Sequence, residues 1–206
     1  MPTVELSNHN AFAIWITGLP ACGKSTLTAA LKEQLRARRV NVAVLESDAL
    51  RKTLTPHPRY NLEERDTFYQ QMADIGVLLT DQGVPVIFDA TANRRVYRDR
   101  ARREISHFLE IYMDCPIATC LARDPKGIYR QAQESATATV PGLQTAYEPP
   151  EAPDLVVHAE AESPECAARR VVALLIGKGY IPQGGAQDRG GDEIPDNFVG
   201  STPPIA

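Results

Sequence analysis

The chain has 206 residues, 43% hydrophobic and 23% charged, the size and balance of one globular domain with a buried core. Its formal net charge of −4 argues against nucleic acid as the main partner, because a phosphate backbone calls for a strong positive excess, so any anion site must be local. Cys22, Cys115, Cys120 and Cys166 form no CxxC pair and are joined by only four histidines, which leaves no metal-ligand cluster and reads as reduced thiols.

A polar stretch, residues 1–10, leads into an apolar run at 11–16 that is too short for a signal h-region or a membrane span. It has strand length, and a soluble, cytoplasmic protein is expected. Directly after it comes Gly18-Leu19-Pro20-Ala21-Cys22-Gly23-Lys24-Ser25, followed by Thr26. This fits G-x-x-x-x-G-K-[ST] in its required context, a buried-type strand before it and a helix with Leu27, Leu31 and Leu35 on one face after it. Glycines let the backbone wrap phosphate oxygens, and successive N–H groups and the helix N-terminus supply partial positive charge. Lys24 would reach the β- and γ-phosphates of ATP and the Ser25 hydroxyl would ligate Mg²⁺. A helix N-terminus lowers a thiol pKa, so Cys22 has a local reason to be reactive, although filling by a small residue is the simpler reading.

The second strand, residues 40–45, runs into Glu46-Ser47-Asp48. In open α/β sheets ligands sit at the C-terminal strand ends, which makes Asp48 a candidate to accept the proton of an acceptor hydroxyl or help hold Mg²⁺; capping the next helix is the competing role. Phe68, Met72, Ile75 and Leu79 mark a helix, and residues 84–88 a third strand ending at a lone acid, Asp89, a candidate for holding Mg²⁺ through water. Asp89-Ala90-Thr91-Ala92-Asn93-Arg94-Arg95 then opens a helix with Arg98 and Arg102. Arg94 or Arg95 would neutralise a phosphate or sulfate on the acceptor, and the other arginines read as a solvated face. A fourth strand spans 108–113. A lid is expected over about 123–147, small and polar at its centre, with Arg123 and Lys126 as the cations that close on phosphates. A weaker strand at 155–157, a helix with Val171, Leu174 and Leu175, and a Gly/Pro/Asp-rich stretch over 182–206 that reads as a flexible tail complete the chain.

Alternating strands and helices imply an α/β, P-loop NTPase-type three-layer sandwich with a central parallel sheet, occupying residues 1–181. No guanine-reading Asn-Lys-x-Asp is present and the third strand ends in one acid rather than a pair, which points away from GTPases and motor ATPases and towards a small-molecule kinase.

Four strings carry a closer resemblance: Gly18 to Thr26, LESDALR at 45–51, DCPIATCLARDPKGIY at 114–129 and PGLQTAYEPPEAP at 141–153. From about residue 11 to 157 the chain resembles the adenylylsulfate kinase family. The resemblance implies ATP-dependent phosphorylation of the ribose 3′-hydroxyl of adenylylsulfate in sulfate assimilation, with ATP and Mg²⁺ required and a homodimer possible in this family. By position it makes Asp48 the catalytic aspartate, Arg51 and Arg65 the arginines approaching the sulfonucleotide, and Tyr60 the ring against the acceptor adenine. The chain departs from the family on the acceptor side. Phe68-Tyr69-Gln70-Gln71 stands where the family has Asn-Ile-Arg-Arg, Ala90-Thr91-Ala92-Asn93 where it has Phe-Ile-Ser-Pro, and 138–141 where it has Lys-Asn-Phe-Thr. The Asp-Ala-Thr string also resembles 6-phosphofructo-2-kinases and polynucleotide-type kinases, so a different small-molecule acceptor, a nucleotide or sugar phosphate, stays open beside adenylylsulfate. A non-catalytic nucleotide sensor is a third reading, against which Lys24, Ser25 and Asp48 speak.

Overall fold

The computed structural model describes residues 11–134 and 139–183; the tail expected from the sequence lies almost wholly outside them. In chain order the elements are β1 (Ala13–Thr17), α1 (Lys24–Ala37), β2 (Ala43–Glu46), α2 (Ser47–Leu54), α3 (Leu62–Asp81), β3 (Val86–Asp89), α4 (Arg95–Glu104), β4 (Phe108–Asp114), α5 (Ile117–Arg123), α6 (Ile128–Gln133), β5 (Leu155–His158) and α7 (Pro164–Gly177). The strands form one parallel sheet in the order β2-β3-β1-β4-β5. This is the three-layer α/β architecture expected from the alternation of strands and helices.

The period-2 alternation of side chains decides which residue meets which layer. On β1, Ile14 and Ile16 join Leu27, Leu31 and Leu35 of α1 and Val171 and Leu175 of α7 on one face. Ala13 and Trp15 turn to the other face, with Phe68 and Met72 of α3 and Tyr97 of α4. Because both faces are covered, all five residues of β1 are buried, and the strand reads as an apolar run rather than an alternation. Trp15 stacks on Phe88 at 4.5 Å and its indole N–H donates to the Ala90 carbonyl at 3.1 Å. Gly76 lets α3 lie close on this pair, since a Cβ there would stand 2.1 Å from the Phe88 ring.

Helix ends follow ordinary capping chemistry. Asn61 caps α3 by accepting from the Glu64 N–H at 2.9 Å, and Ser163 caps α7 with Pro164 in the first turn. Each strand runs one residue past the last apolar position read from the sequence, to Thr17, Glu46, Asp89, Asp114 and His158. These polar termini lie together along one edge of the sheet, where parallel α/β folds bind ligands. Among the described residues no helix is long and apolar enough to cross a membrane.

Candidate active site

A cavity of about 900 Å³ opens over this edge, at the upper end of the range for ligand sites. Its floor is the loop between β1 and α1. Gly18 takes φ +148°, and a Cβ there would stand 2.8 Å from both the Cys22 sulfur and the Met113 carbonyl; Gly23 takes φ +104° as α1 begins. Both conformations suit glycine alone, so the loop wraps tightly and presents the N-terminus of α1 to the cavity. Pro20 to Thr26 line it, while Gly18 and Leu19 lie behind and offer their carbonyls to the Lys24 ammonium at 3.1 and 2.9 Å. Cys22 is fully buried, and burial pushes its thiol up, so it fills space rather than reacting.

Asp48 does not end β2 but lies in the first turn of α2, with Glu46 as the N-cap residue. A carboxylate there is favoured by the helix dipole, and Asp48 remains exposed to the cavity. Its Oδ2 accepts from the Lys126 ammonium at 2.5 Å, and Glu46 lies 3.7 Å from the same nitrogen. The hydrogen bond to Asp48 raises the Lys126 pKa. Lys126, expected on phosphate, is thus seated on the candidate base. Arg123, at the end of α5, lines the opposite part of the cavity and donates to the Ala159 carbonyl at 3.2 Å.

On the β2 and β3 side the cavity is walled by Arg51, Tyr60, Arg65 and Tyr69. The Arg51 guanidinium is buried 3.8 Å from the Phe68 ring centroid and 5.0 Å from that of Tyr60, and it pairs with Glu64 at 3.5 Å. Arg65 donates to the Tyr60 carbonyl at 3.0 Å and the Thr139 carbonyl at 2.7 Å, tying the loop before α3 to Thr139 from far along the chain. Desolvation lowers its pKa. Tyr60 adopts φ +56°, and Glu64 holds it there by accepting from the Arg59 and Tyr60 N–H groups at 2.7 and 3.2 Å. Glu64 escaped the sequence reading, while Tyr69 and Thr139 were read only as parts of strings that differ from the family. A partial signal for Glu64 was available, since Asn61 and Glu64 have the spacing of a capping box.

Asp89 is buried at the end of β3 and lines the cavity, and its carboxylate accepts no hydrogen bond from the described residues. The Ser25 hydroxyl lines the same cavity, and both side chains offer oxygen donors of the kind Mg²⁺ takes beside phosphates and water. Among the described residues there is no larger cluster of metal-ligating side chains.

The arginines after β3 are not where the sequence reading put them. Arg94 is the N-cap residue of α4, 5.7 Å from the Tyr97 ring, and does not line the cavity; Arg95 pairs with Glu148 and Glu151. Arg98, expected on a solvated face, is 1% exposed. It pairs with Glu110 at 2.6 Å and donates to the Ala92 carbonyl and, at 2.8 Å, to that of Glu148. The helix turns this face inward because Glu110 of β4 supplies a buried counter-charge. Nor do Gln70 and Gln71 line the cavity: Gln70 donates to Asp74 at 2.6 Å. The charges that differ from the family at these two positions are therefore off the cavity wall. Its altered part lies at Tyr69, Thr91, Thr139, Val140 and Pro141, which line it, and at Phe68 beneath Arg51.

The family model described as adenylylsulphate kinase matches residues 10–158. An adenylyl-sulfate kinase of Synechococcus sp. (strain JA-2-3B'a(2-13)) is 36% identical over 175 residues, 84% of this chain and 99% of the relative. A probable bifunctional SAT/APS kinase of Sorangium cellulosum is 35% identical over 86% of this chain, which spans only 30% of that longer protein. Among solved structures, the Mycobacterium tuberculosis APS kinase in complex with AMPPNP and APS superimposes with a TM-score of 0.76 at 28% identity, covering 81% of this chain and 98% of that one. Together with the phosphate loop and the acid beside it, these matches place the chain in the adenylylsulphate kinase family.

Proposed function

We propose that this chain transfers the γ-phosphoryl group of ATP to the ribose 3′-hydroxyl of adenylylsulfate, giving 3′-phosphoadenylylsulfate. The observation that carries the reading is one cavity in which the phosphate loop, Asp48 and the Arg51–Tyr60–Arg65 wall all meet. The loop lies at the end of the central strand, with β3 and β2 to one side and β4 and β5 to the other. The acceptor takes the β2–β3 side, where the Tyr60 ring offers its adenine a stacking face and Arg51 and Arg65 provide positive charge for its phosphosulfate. ATP takes the loop and the β4–β5 side.

Lys24 and the loop N–H groups hold the β- and γ-phosphates in line with the acceptor, and Arg123 serves the donor from its own side. Asp48 orients the 3′-hydroxyl and accepts its proton as the oxygen bonds to phosphorus. Lys126, already on Asp48, bridges that carboxylate and the arriving γ-phosphate. Ser25 and Asp89 would hold Mg²⁺, whose charge offsets that developing on the phosphate oxygens. ATP as donor and four free cysteines suit the cytoplasm as its setting.

The test is ADP release with Mg·ATP and a panel of acceptors comprising adenylylsulfate, AMP, sugar phosphates and a short oligonucleotide. Turnover selective for adenylylsulfate supports the assignment. Activity confined to another member would show that the altered wall serves a different acceptor.

A further inference from the structure

The β4–β5 lobe of the cavity contains a carboxylate that the transfer chemistry leaves unused. A γ-phosphoryl group aimed at Asp48 leaves the nucleoside of the donor to occupy this lobe, so the inference rests on the donor placement given above. The walls there are Val157, Ala159, Pro164 and Ala167, with Arg123 and Glu162 as polar members. Small apolar side chains leave a slot for a flat ring, and the Arg123 guanidinium, held by the Ala159 carbonyl at 3.2 Å, offers a planar face to stack on it.

Glu162 is built into its place. Its side chain is 14% exposed, and Oε1 accepts from the His158 N–H at 3.2 Å and from Arg170 at 2.6 Å. Oε2 accepts no hydrogen bond from the described residues while the residue lines the cavity. The neighbouring Asp124 also lines the cavity, but its Oδ2 accepts from the Arg130 N–H at 3.1 Å in the first turn of α6, and its Oδ1, without a partner among the described residues, is shielded from solvent and so from a ligand. A fixed oxygen that only accepts fits the 6-amino group of adenine, which donates, and opposes the 6-oxo group of a guanine held in the same pose, whose own donors, N1–H and the 2-amino group, lie on the next edge of the ring.

We propose that Glu162 selects adenine over guanine in the phosphoryl donor, through the carboxylate oxygen that Arg170 and His158 leave free.

The experiment measures displacement of a fluorescent ATP analogue by ATP and by GTP, and so needs no acceptor. The wild-type chain should bind ATP at least about tenfold more tightly than GTP, the scale of one charge-assisted hydrogen bond. Glu162→Gln, whose amide can donate to a 6-oxo group, should narrow the ratio to about threefold or less. Glu162→Leu should narrow it too and serves if the glutamine variant does not fold. Arg36→Ala, which breaks only an exposed pair with Glu33 off the cavity, should keep the wild-type ratio. Equal binding of both nucleotides to the wild type, an unchanged ratio in the Glu162 variants, or the same narrowing in Arg36→Ala would each overturn the proposal. Selection of ATP by a chain inactive on adenylylsulfate would sink the acceptor assignment alone; turnover of adenylylsulfate with an unchanged ratio in Glu162→Gln would sink this inference alone.

Discussion

Glu64 organises the acceptor wall, so replacing it with alanine should damage that wall selectively. Its carboxylate pairs with Arg51 at 3.5 Å, both side chains being largely buried, and accepts the N–H groups that hold Tyr60 at φ +56°. Removing one partner of a buried ion pair costs about 3–5 kcal/mol, and the Phe68 ring under Arg51 retains part of that, leaving a net loss of about 2–3 kcal/mol. For a chain of this size that lowers Tm by roughly 5–10 °C. A left-handed conformation at a non-glycine residue costs about 1–2 kcal/mol, so Tyr60 should relax away from it and raise the KM for adenylylsulfate about tenfold. The KM for ATP should change less than about twofold, because the donor lies across the loop.

The same contact has a pH signature. Burial alone would raise the Glu64 pKa, but hydrogen bonds from Arg59 and Tyr60 and the charge of Arg51 outweigh it and hold the carboxyl below its ordinary value. A depressed carboxyl contributes stability above its unfolded pKa and loses it as pH falls through the folded one. The Tm gap between wild type and Glu64→Ala should therefore be widest near neutrality and close below about pH 4. Calorimetry across pH and initial rates at varied adenylylsulfate and ATP check both parts. Equal rises in the two KM values, or lost stability with an unchanged acceptor KM, would refute the reasoning.

Asp48→Asn should lower kcat by at least about 100-fold with ATP affinity nearly unchanged, measured by steady-state rates beside nucleotide titration; equal losses in both would remove Asp48 from its role. Arg98→Ala leaves Glu110 buried with only Arg102 beside it and should cost about 3–5 kcal/mol in a denaturant titration, against under 1 kcal/mol for a solvated arginine. Iodoacetamide on the native chain should label the partly exposed Cys166 well before the buried Cys22, as peptide mass mapping would read; early labelling of Cys22 would contradict its burial.

What the sequence disclosed follows from which interactions are local. The phosphate loop is contiguous, so Gly18 to Thr26 could be read in full, and the five apolar runs stand out because a parallel strand is buried on both faces. The end of β2 was harder to place, because Glu46 continues the ladder but a polar side chain ends an apolar run, whereas Asp89 was read as the end of its strand. Arg98 illustrates the other limit. Its spacing from Arg94 and Arg102 looks like a solvated stripe, and only its partner Glu110, on the next strand, turns it into a buried tie. Glu162 was invisible because it meets the cavity through a loop brought in from far along the chain, and for the same reason Thr139, read only within a changed lid string, gave no sign of its tie to Arg65.

The most direct measurement is the product formed from Mg·ATP and adenylylsulfate, identified by mass and by ³¹P NMR. A single added phosphoryl group on the ribose 3′-oxygen, absent when 3′-deoxyadenylylsulfate replaces the acceptor, is the expected result. ATP consumed without a phosphorylated nucleotide, or a phosphoryl group found elsewhere on the acceptor, would contradict the assignment of Asp48 and its wall to the 3′-hydroxyl.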